Sequence, residues 1–189
     1  ESGAKDPALT DEDLQELKTL PHNLQYTVDR SEEIKKMALK YFEVHNFLFI
    51  GRGVNFPLAL EGALKLKEIS YIHAEGYGAG ELKHGPIALI DRNMPIVAFA
   101  PKDKYYEKSL ANIEEVRARD GRVVGVGDGE DKNLADICSD VFGVPQVSNS
   151  AFQVMINTIP AQLFAYHVAV LRGTDVDQPR NLAKSVTVE

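Results

Sequence analysis

Cysteine is nearly absent from this chain of 189 residues: Cys138 stands alone, so no internal disulfide framework can form. A single thiol agrees with a reducing compartment, and the cytoplasm is the expected location. Cys138 lies in Ala135-Asp136-Ile137-Cys138-Ser139-Asp140. Acids on both sides raise a thiol's pKa, which favours a buried structural thiol over a nucleophile. A basic tract is lacking too, and the formal net charge is −7. Nucleic acid and anionic membrane surfaces are therefore poor partners, and an anionic substrate would need a local positive field. No stretch reads as long and apolar enough to span a bilayer. The polar start Glu1-Ser2-Gly3-Ala4-Lys5-Asp6 has no signal-peptide pattern, and no initiator Met precedes it, so the chain reads as a fragment or a processed form.

What is present is an ordinary globular balance, 44% hydrophobic and 26% charged, enough for one core. Residues 1–21 read as a linker with a short helix, capped by Thr10 over Asp11–Leu20 and ended by Pro21. A second helix is predicted over about Asn23–Glu43, with a break near Arg30-Ser31. Alternation then begins. Phe47–Ile50, Pro95–Pro101, Val123–Val126 and Asp140–Val144 are short apolar runs with strand character. Helices are predicted between and after them at Phe56–Ser70, Lys104–Arg119, Lys132–Cys138 and Ala151–Leu171, the last with Pro160 as a kink point. Alternating strands and helices predict an α/β fold, a parallel sheet covered on both faces, which binds ligands at the carboxyl ends of its strands. The main domain is placed at residues 22–175, followed by a tail at 176–189.

Four segments could carry chemistry. Gly51-Arg52-Gly53-Val54-Asn55 joins a strand to a helix, as phosphate loops do. It lacks the third glycine of dinucleotide loops, a Lys-Ser/Thr ending and the hydroxyls of phosphosugar loops, so a tight turn is the alternative. On the following helix Glu61, Lys65 and Glu68 share one narrow arc, which could be a functional face or a solvated ion-pair face. Ala59, Leu60, Ala63 and Leu66 lie on another side, with Lys67 among them as a snorkelling stem or a subunit contact. His73, Glu75, Glu81 and His84 are potential ligands, but their spacing matches no common zinc pattern, so no metal is expected. His84 precedes Gly85-Pro86, a helix stop, and a histidine at a helix C-terminus is suited to proton transfer. Finally, the segment from Gly173 to Glu189 follows an apolar helix and could dock over a site.

Together these segments carry a resemblance. Ala59-Leu60-Glu61-Gly62-Ala63-Leu64-Lys65-Leu66-Lys67-Glu68-Ile69-Ser70-Tyr71-Ile72-His73-Ala74-Glu75, then Gly80-Glu81-Leu82-Lys83-His84-Gly85-Pro86, resemble the second sugar-isomerase (SIS) domain of the glutamine–fructose-6-phosphate aminotransferases. The tail Asp177-Gln178-Pro179-Arg180-Asn181-Leu182-Ala183-Lys184-Ser185-Val186-Thr187-Val188-Glu189 is similar to that family's C-terminus and is the more specific motif. The likeness runs from about Phe47 to Glu189.

The resemblance implies a SIS-type, Rossmann-like three-layer α/β/α sandwich. It implies a role in making glucosamine 6-phosphate from fructose 6-phosphate and glutamine-derived ammonia, by ring opening, imine formation and C1–C2 proton transfer. By position, Glu68 matches the enolisation base and Lys65 a lysine beside it. His84 matches the ring-opening histidine, which the family supplies from a neighbouring subunit. Lys184 matches the tail lysine that meets the ketose, Ala183 a backbone sugar contact, and Arg180 and Leu182 residues bordering the ammonia route. No metal or organic cofactor is implied. The implied partners are the phosphosugar, a second copy of the chain as a homodimer, and the glutaminase and first SIS domains, which this sequence does not contain. Without them the chain is expected to be a poor enzyme. Other SIS phosphosugar isomerases or deaminases, and a non-catalytic phosphosugar-binding module, are the alternatives.

Overall fold

A computed structural model describes residues 9–180 of the protein. Five strands form one parallel sheet: β1 (Asn46–Gly51), β2 (His73–Gly78), β3 (Ile96–Ala100), β4 (Val123–Gly127) and β5 (Asp140–Gly143), in the order β2-β1-β3-β4-β5. The register pairs Asn46 with His73, Leu48 with Ile96, Ile96 with Val123 and Val124 with Asp140. Helices α1 (Asp11–Asp29), α2 (Ser31–Ala38), α3 (Asn55–Ser70), α4 (Tyr106–Arg117), α5 (Lys132–Ile137) and α6 (Ser150–Leu171) cover it. Alternation along β1 sorts the faces. Phe47 and Phe49 join the core under α3 and α6, and Leu48 and Ile50 join the core that includes Ile113 and Val116 of α4 and Leu134 of α5. This is the expected three-layer α/β/α arrangement with a parallel sheet.

The expectations at the N-terminus need correction. The Thr10 cap is there: Thr10 Oγ1 accepts the Asp13 N–H at 3.1 Å, and the Asp13 carboxylate accepts the Thr10 N–H at 2.8 Å. But α1 does not stop at Pro21; it runs through it to Asp29. An interior proline costs about 3 kcal/mol, and here tertiary docking offsets it. Leu20 and Thr27 are buried, and Glu16 accepts the N–H groups of Ser148 and Asn149 at 2.5 and 2.9 Å. The helix break falls at Arg30, as the sequence suggested. Its guanidinium donates to Gly143 O at 2.5 Å and pairs with Glu33 at 2.6 Å, tying the corner to the end of β5.

A second correction concerns α6. This 22-residue helix is, by length and composition alone, long and apolar enough to cross a membrane. The helix is instead a core element, packed on α1, α2 and α3 with Ile156, Ala165 and Val168 fully buried. Pro160 lies inside it without ending it. Cys138 is half-buried, and its thiol is pushed up to about 12, first by burial and only secondarily by Asp131 and Asp140. Leu60 is exposed rather than buried. With Phe56 and Leu64 it forms an outward apolar row on α3, and Lys67 is also exposed.

Candidate active site at the end of helix α3

The loop after β1 closes the carboxyl end of the sheet. A Cβ on Gly51 would lie 2.1 Å from Asn55 O, so only glycine allows this approach. Gly53 adopts φ +54 against the Tyr105 ring. Asn55 is buried and points inward: its amide donates to Asp103 at 3.3 Å and accepts from Asn157 at 3.3 Å. Gln153 donates to Asn157 at 2.9 Å. Arg52 Nε donates to Asn112 at 2.9 Å. Of the two readings of this segment, the geometry supports the tight turn, with its polar groups satisfied inside the protein.

The other end of α3 is open. Lys65 Nζ donates to Glu68 at 3.1 Å and sits 3.7 Å from Glu61, so the predicted arc is a real cluster. The hydrogen bond to Glu68 raises the Lys65 pKa above its ordinary value against a smaller opposing effect of burial. Glu68 opens into a cleft of about 400 Å³ with Lys67, Tyr71, Ile72, His73 and Arg180. Tyr71, the C-cap of α3, has φ +61 and ψ +17, a left-handed conformation unusual for a bulky side chain. Its hydroxyl accepts the Arg180 N–H at 3.0 Å, and the Arg180 guanidinium stacks on its ring 4.0 Å from the centroid. Thr174 donates to Ile69 O at 2.6 Å, and the Asp175 carboxylate caps a turn by accepting from the backbone of Asp177 and Gln178. The start of the tail is thus pinned beside Glu68 at two points.

His84 is elsewhere. It ends a short 3-10 turn, Ala79–His84, which leaves the carboxyl end of β2 and packs through Ala79 and Leu82 on the α4 face. Phe56 of α3 lies near Gly78 at that same end, and Glu68 is about 18 Å further along the helix axis at 1.5 Å per residue. One chain therefore brings Glu68, Lys65 and Arg180 together but leaves His84 apart, exposed and 3.9 Å from Glu81. His73 pairs separately with Glu75 at 3.4 Å, and no group of three or more potential metal ligands converges among the described residues. Leu182, Ala183 and Lys184 lie outside the described residues. Tyr71 escaped sequence reasoning, because neither its backbone conformation nor its contact with Arg180 leaves a local signature.

The SIS domain model matches residues 40–172. The isomerizing glutamine–fructose-6-phosphate aminotransferase of Aquifex aeolicus is 56% identical over 173 residues, covering 92% of this chain but 29% of its own length. The chain therefore spans under a third of such relatives. The C-terminal domain of glucosamine-fructose-6-phosphate aminotransferase from Francisella tularensis superposes with a TM-score of 0.79 at 42% identity, over 90% of this chain and 49% of that one. An Escherichia coli tagatose-6-phosphate ketose/aldose isomerase shares the fold at a TM-score of 0.76 and 20% identity, over 86% of this chain and 46% of its own. The chain belongs to the SIS domain family, and its sequence matches the SIS region of isomerizing glutamine–fructose-6-phosphate aminotransferases.

Proposed function

We propose that this chain supplies the proton-transferring half of a sugar site that makes glucosamine 6-phosphate from fructose 6-phosphate and ammonia released from glutamine. The observation that carries the reading is the pinning of the tail at Arg180 beside Glu68, with Lys65 hydrogen-bonded to that carboxylate. Glu68 is the base that moves a proton between C1 and C2 of the open-chain sugar. Lys65 fixes its orientation and offsets its charge. Lys184 follows Arg180 by four residues, a span of at most about 14 Å, so its amine can reach the same cleft as a Schiff-base nucleophile or electrostatic partner. Ala183 contacts the sugar through its backbone, and Arg180 and Leu182 border the path of ammonia. None of these steps calls on a metal or organic cofactor.

His84, as proton donor for ring opening, comes from a second copy. Its separation from Glu68 supports that reading, as does the outward row of Phe56, Leu60 and Leu64. The assembly is a homodimer of a longer chain that also carries a glutaminase domain and a first SIS domain with the phosphate loop. The chain alone is a poor enzyme, because remote phosphate binding would position the sugar. The cytoplasm is its assigned compartment.

Complementation tests this. In the full-length aminotransferase, Glu68→Gln and His84→Ala should each abolish sugar product. Co-expressed, they should regain a substantial fraction of wild-type activity, because mixed dimers contain one intact site made of Glu68 from one subunit and His84 from the other. No regain in verified mixed dimers would sink the two-subunit site.

A further inference from the structure

We propose that a cleft at the amino-terminal edge of the sheet is an anion site, anchored by the Arg122 guanidinium and suited to a phosphate group. The site is independent of the sugar reaction at Glu68. The cleft has a volume of about 390 Å³, within the range of small-molecule sites. Because the strands are parallel, their amino ends share one edge, and the turns that enter them build the cleft. The turn after α2 supplies Lys40, Glu43 and His45, β1 opens at Asn46, Asn93 precedes β3, and Arg122 leads into β4. Asn46 accepts from His73 at 3.2 Å, and His73 lines the Glu68 cleft. The two clefts are thus neighbours that share no lining residue.

Arg122 is the deciding residue. Its guanidinium lies over the Tyr41 ring, 4.8 Å from the centroid. Its Nε is buried and has no hydrogen-bond partner among the described residues. The acid on the other side of Tyr41 is already taken: Asp140 accepts from the Tyr41 hydroxyl at 2.7 Å and pairs with Lys40. A guanidinium cannot shed its charge and presents five donors in a fixed fork, so holding one half-buried without an acceptor is costly. Packing on Tyr41 accounts for the plane of the group but not for its donors. An oxyanion in the cleft accounts for both, since two N–H groups of the fork can meet two oxygens of one phosphate. The His45 ring and the amides of Asn46 and Asn93 line the same cleft and can donate to the remaining oxygens. Glu43 is the one acid among the lining residues; it is exposed, joins no ion pair among the described residues, and opposes an anion. On a chain of net charge −7 such an unpaired cation in a cleft is a local exception to a field that repels anions.

The 189-residue chain is the protein to test, because it closes a core of its own on each face of the sheet. It is also free of the first SIS domain proposed above to hold the substrate phosphate. Sodium phosphate is titrated against sodium chloride of equal ionic strength at neutral pH, with the backbone amides and the Arg122 Nε–H followed by NMR. Saturable shifts are expected at His45, Asn46, Asn93 and Arg122, with a Kd on the order of 1–10 mM. Arg122→Gln should weaken binding at least about ten-fold, and Glu43→Gln should tighten it by removing a like charge. Fructose 6-phosphate identifies the source of the phosphate: tighter binding at the same residues assigns a sugar phosphate, and equal binding assigns the free ion. Shifts that do not saturate, saturation centred elsewhere such as the Gly51–Asn55 turn, or an unchanged Kd in Arg122→Gln each overturn the site. If Arg122→Gln fails to fold, Arg122→Lys decides, since it keeps the charge and loses the fork. A Kd raised by about three-fold or more then supports the site, and a wild-type Kd overturns it.

Discussion

The two ends of α3 have opposite characters. At its N-terminus Gly51 admits no side chain, and Asn55, Asp103, Asn157 and Gln153 form a connected chain of hydrogen bonds. Toward its C-terminus Glu61, Lys65 and Glu68 stand partly in solvent, and the tail folds back onto Tyr71, which shares a cleft with Glu68. Parallel α/β sheets ordinarily bind ligands at the carboxyl ends of their strands, where helices such as α3 begin. Here the Gly51–Asn55 turn is held by internal hydrogen bonds beside a small cleft lined by Asn55, Asp103 and Gln153, and the candidate chemistry sits at the other end of α3. A fold-level rule about where ligands bind thus gives way to the particular side chains at each end.

The largest effect that could break this contrast is on catalysis. In the full-length enzyme, Glu68→Gln should lower glucosamine 6-phosphate formation at least about a hundred-fold, the range for losing a general base, while the amide preserves shape and stability. Product and glutamate release are measured on the same samples, with circular dichroism to confirm folding. Near-normal product would reduce Glu68 to a surface carboxylate and erase the functional meaning of the open end.

At the closed end the corresponding effects are on stability. Gly51→Ala would drive a Cβ into Asn55 O, a backbone atom that cannot step aside. The expected destabilisation exceeds about 3 kcal/mol, read as a large drop in the urea midpoint of the 189-residue chain. Asn55→Ala is milder. It removes an acceptor from the fully buried Asn157 amide and should cost about 1–3 kcal/mol. If the alanine proteins unfold like wild type, the close approach of Gly51 to Asn55 and the Asn55–Asn157 bond do not hold this loop.

The sequence shows these two ends unequally. β1, β3, β4 and β5 were legible because they are short apolar runs bounded by glycine, proline or charge. β2, His73-Ala74-Glu75-Gly76-Tyr77-Gly78, was not, because an edge strand needs no apolar pattern on its outer side. Its Tyr77 instead donates to Glu75 at 2.5 Å, lowering that carboxyl's pKa. The arc of Glu61, Lys65 and Glu68 followed from helical periodicity alone. What periodicity could not supply was the separation of His84, which depends on which face the 3-10 turn packs against. Nor could it supply the Tyr71–Arg180 contact, which joins residues 109 apart in the chain. Pro21 was misread because a local rule ends helices at proline, whereas contacts from Glu16 to the α6 loop hold this one together.

The smallest effect is the sharpest test of the contrast. Lys65→Met removes both ion pairs at the open end, yet its side chain and those of Glu61 and Glu68 are each at least a third exposed. Solvent screens such pairs, so the loss in stability should stay below about 0.5 kcal/mol. The sign of the pH dependence follows from the raised pKa of Lys65 in the folded chain. The folded state holds the proton more tightly than the unfolded one. The pair's contribution is therefore fully present below the ordinary lysine value of 10.5 and fades as pH rises through the folded value. Urea midpoints of wild type and Lys65→Met should differ little at pH 7 and converge further above pH 10.5. In the full-length enzyme the same variant should still lose sugar product, because Glu68 loses its hydrogen-bonded partner. A change that is nearly silent in stability but costly in activity is what the open end predicts, and Asn55→Ala should show the reverse. If Lys65→Met instead destabilises the chain by as much as Asn55→Ala does, the two ends are alike in kind, and the charged arc is part of the scaffold.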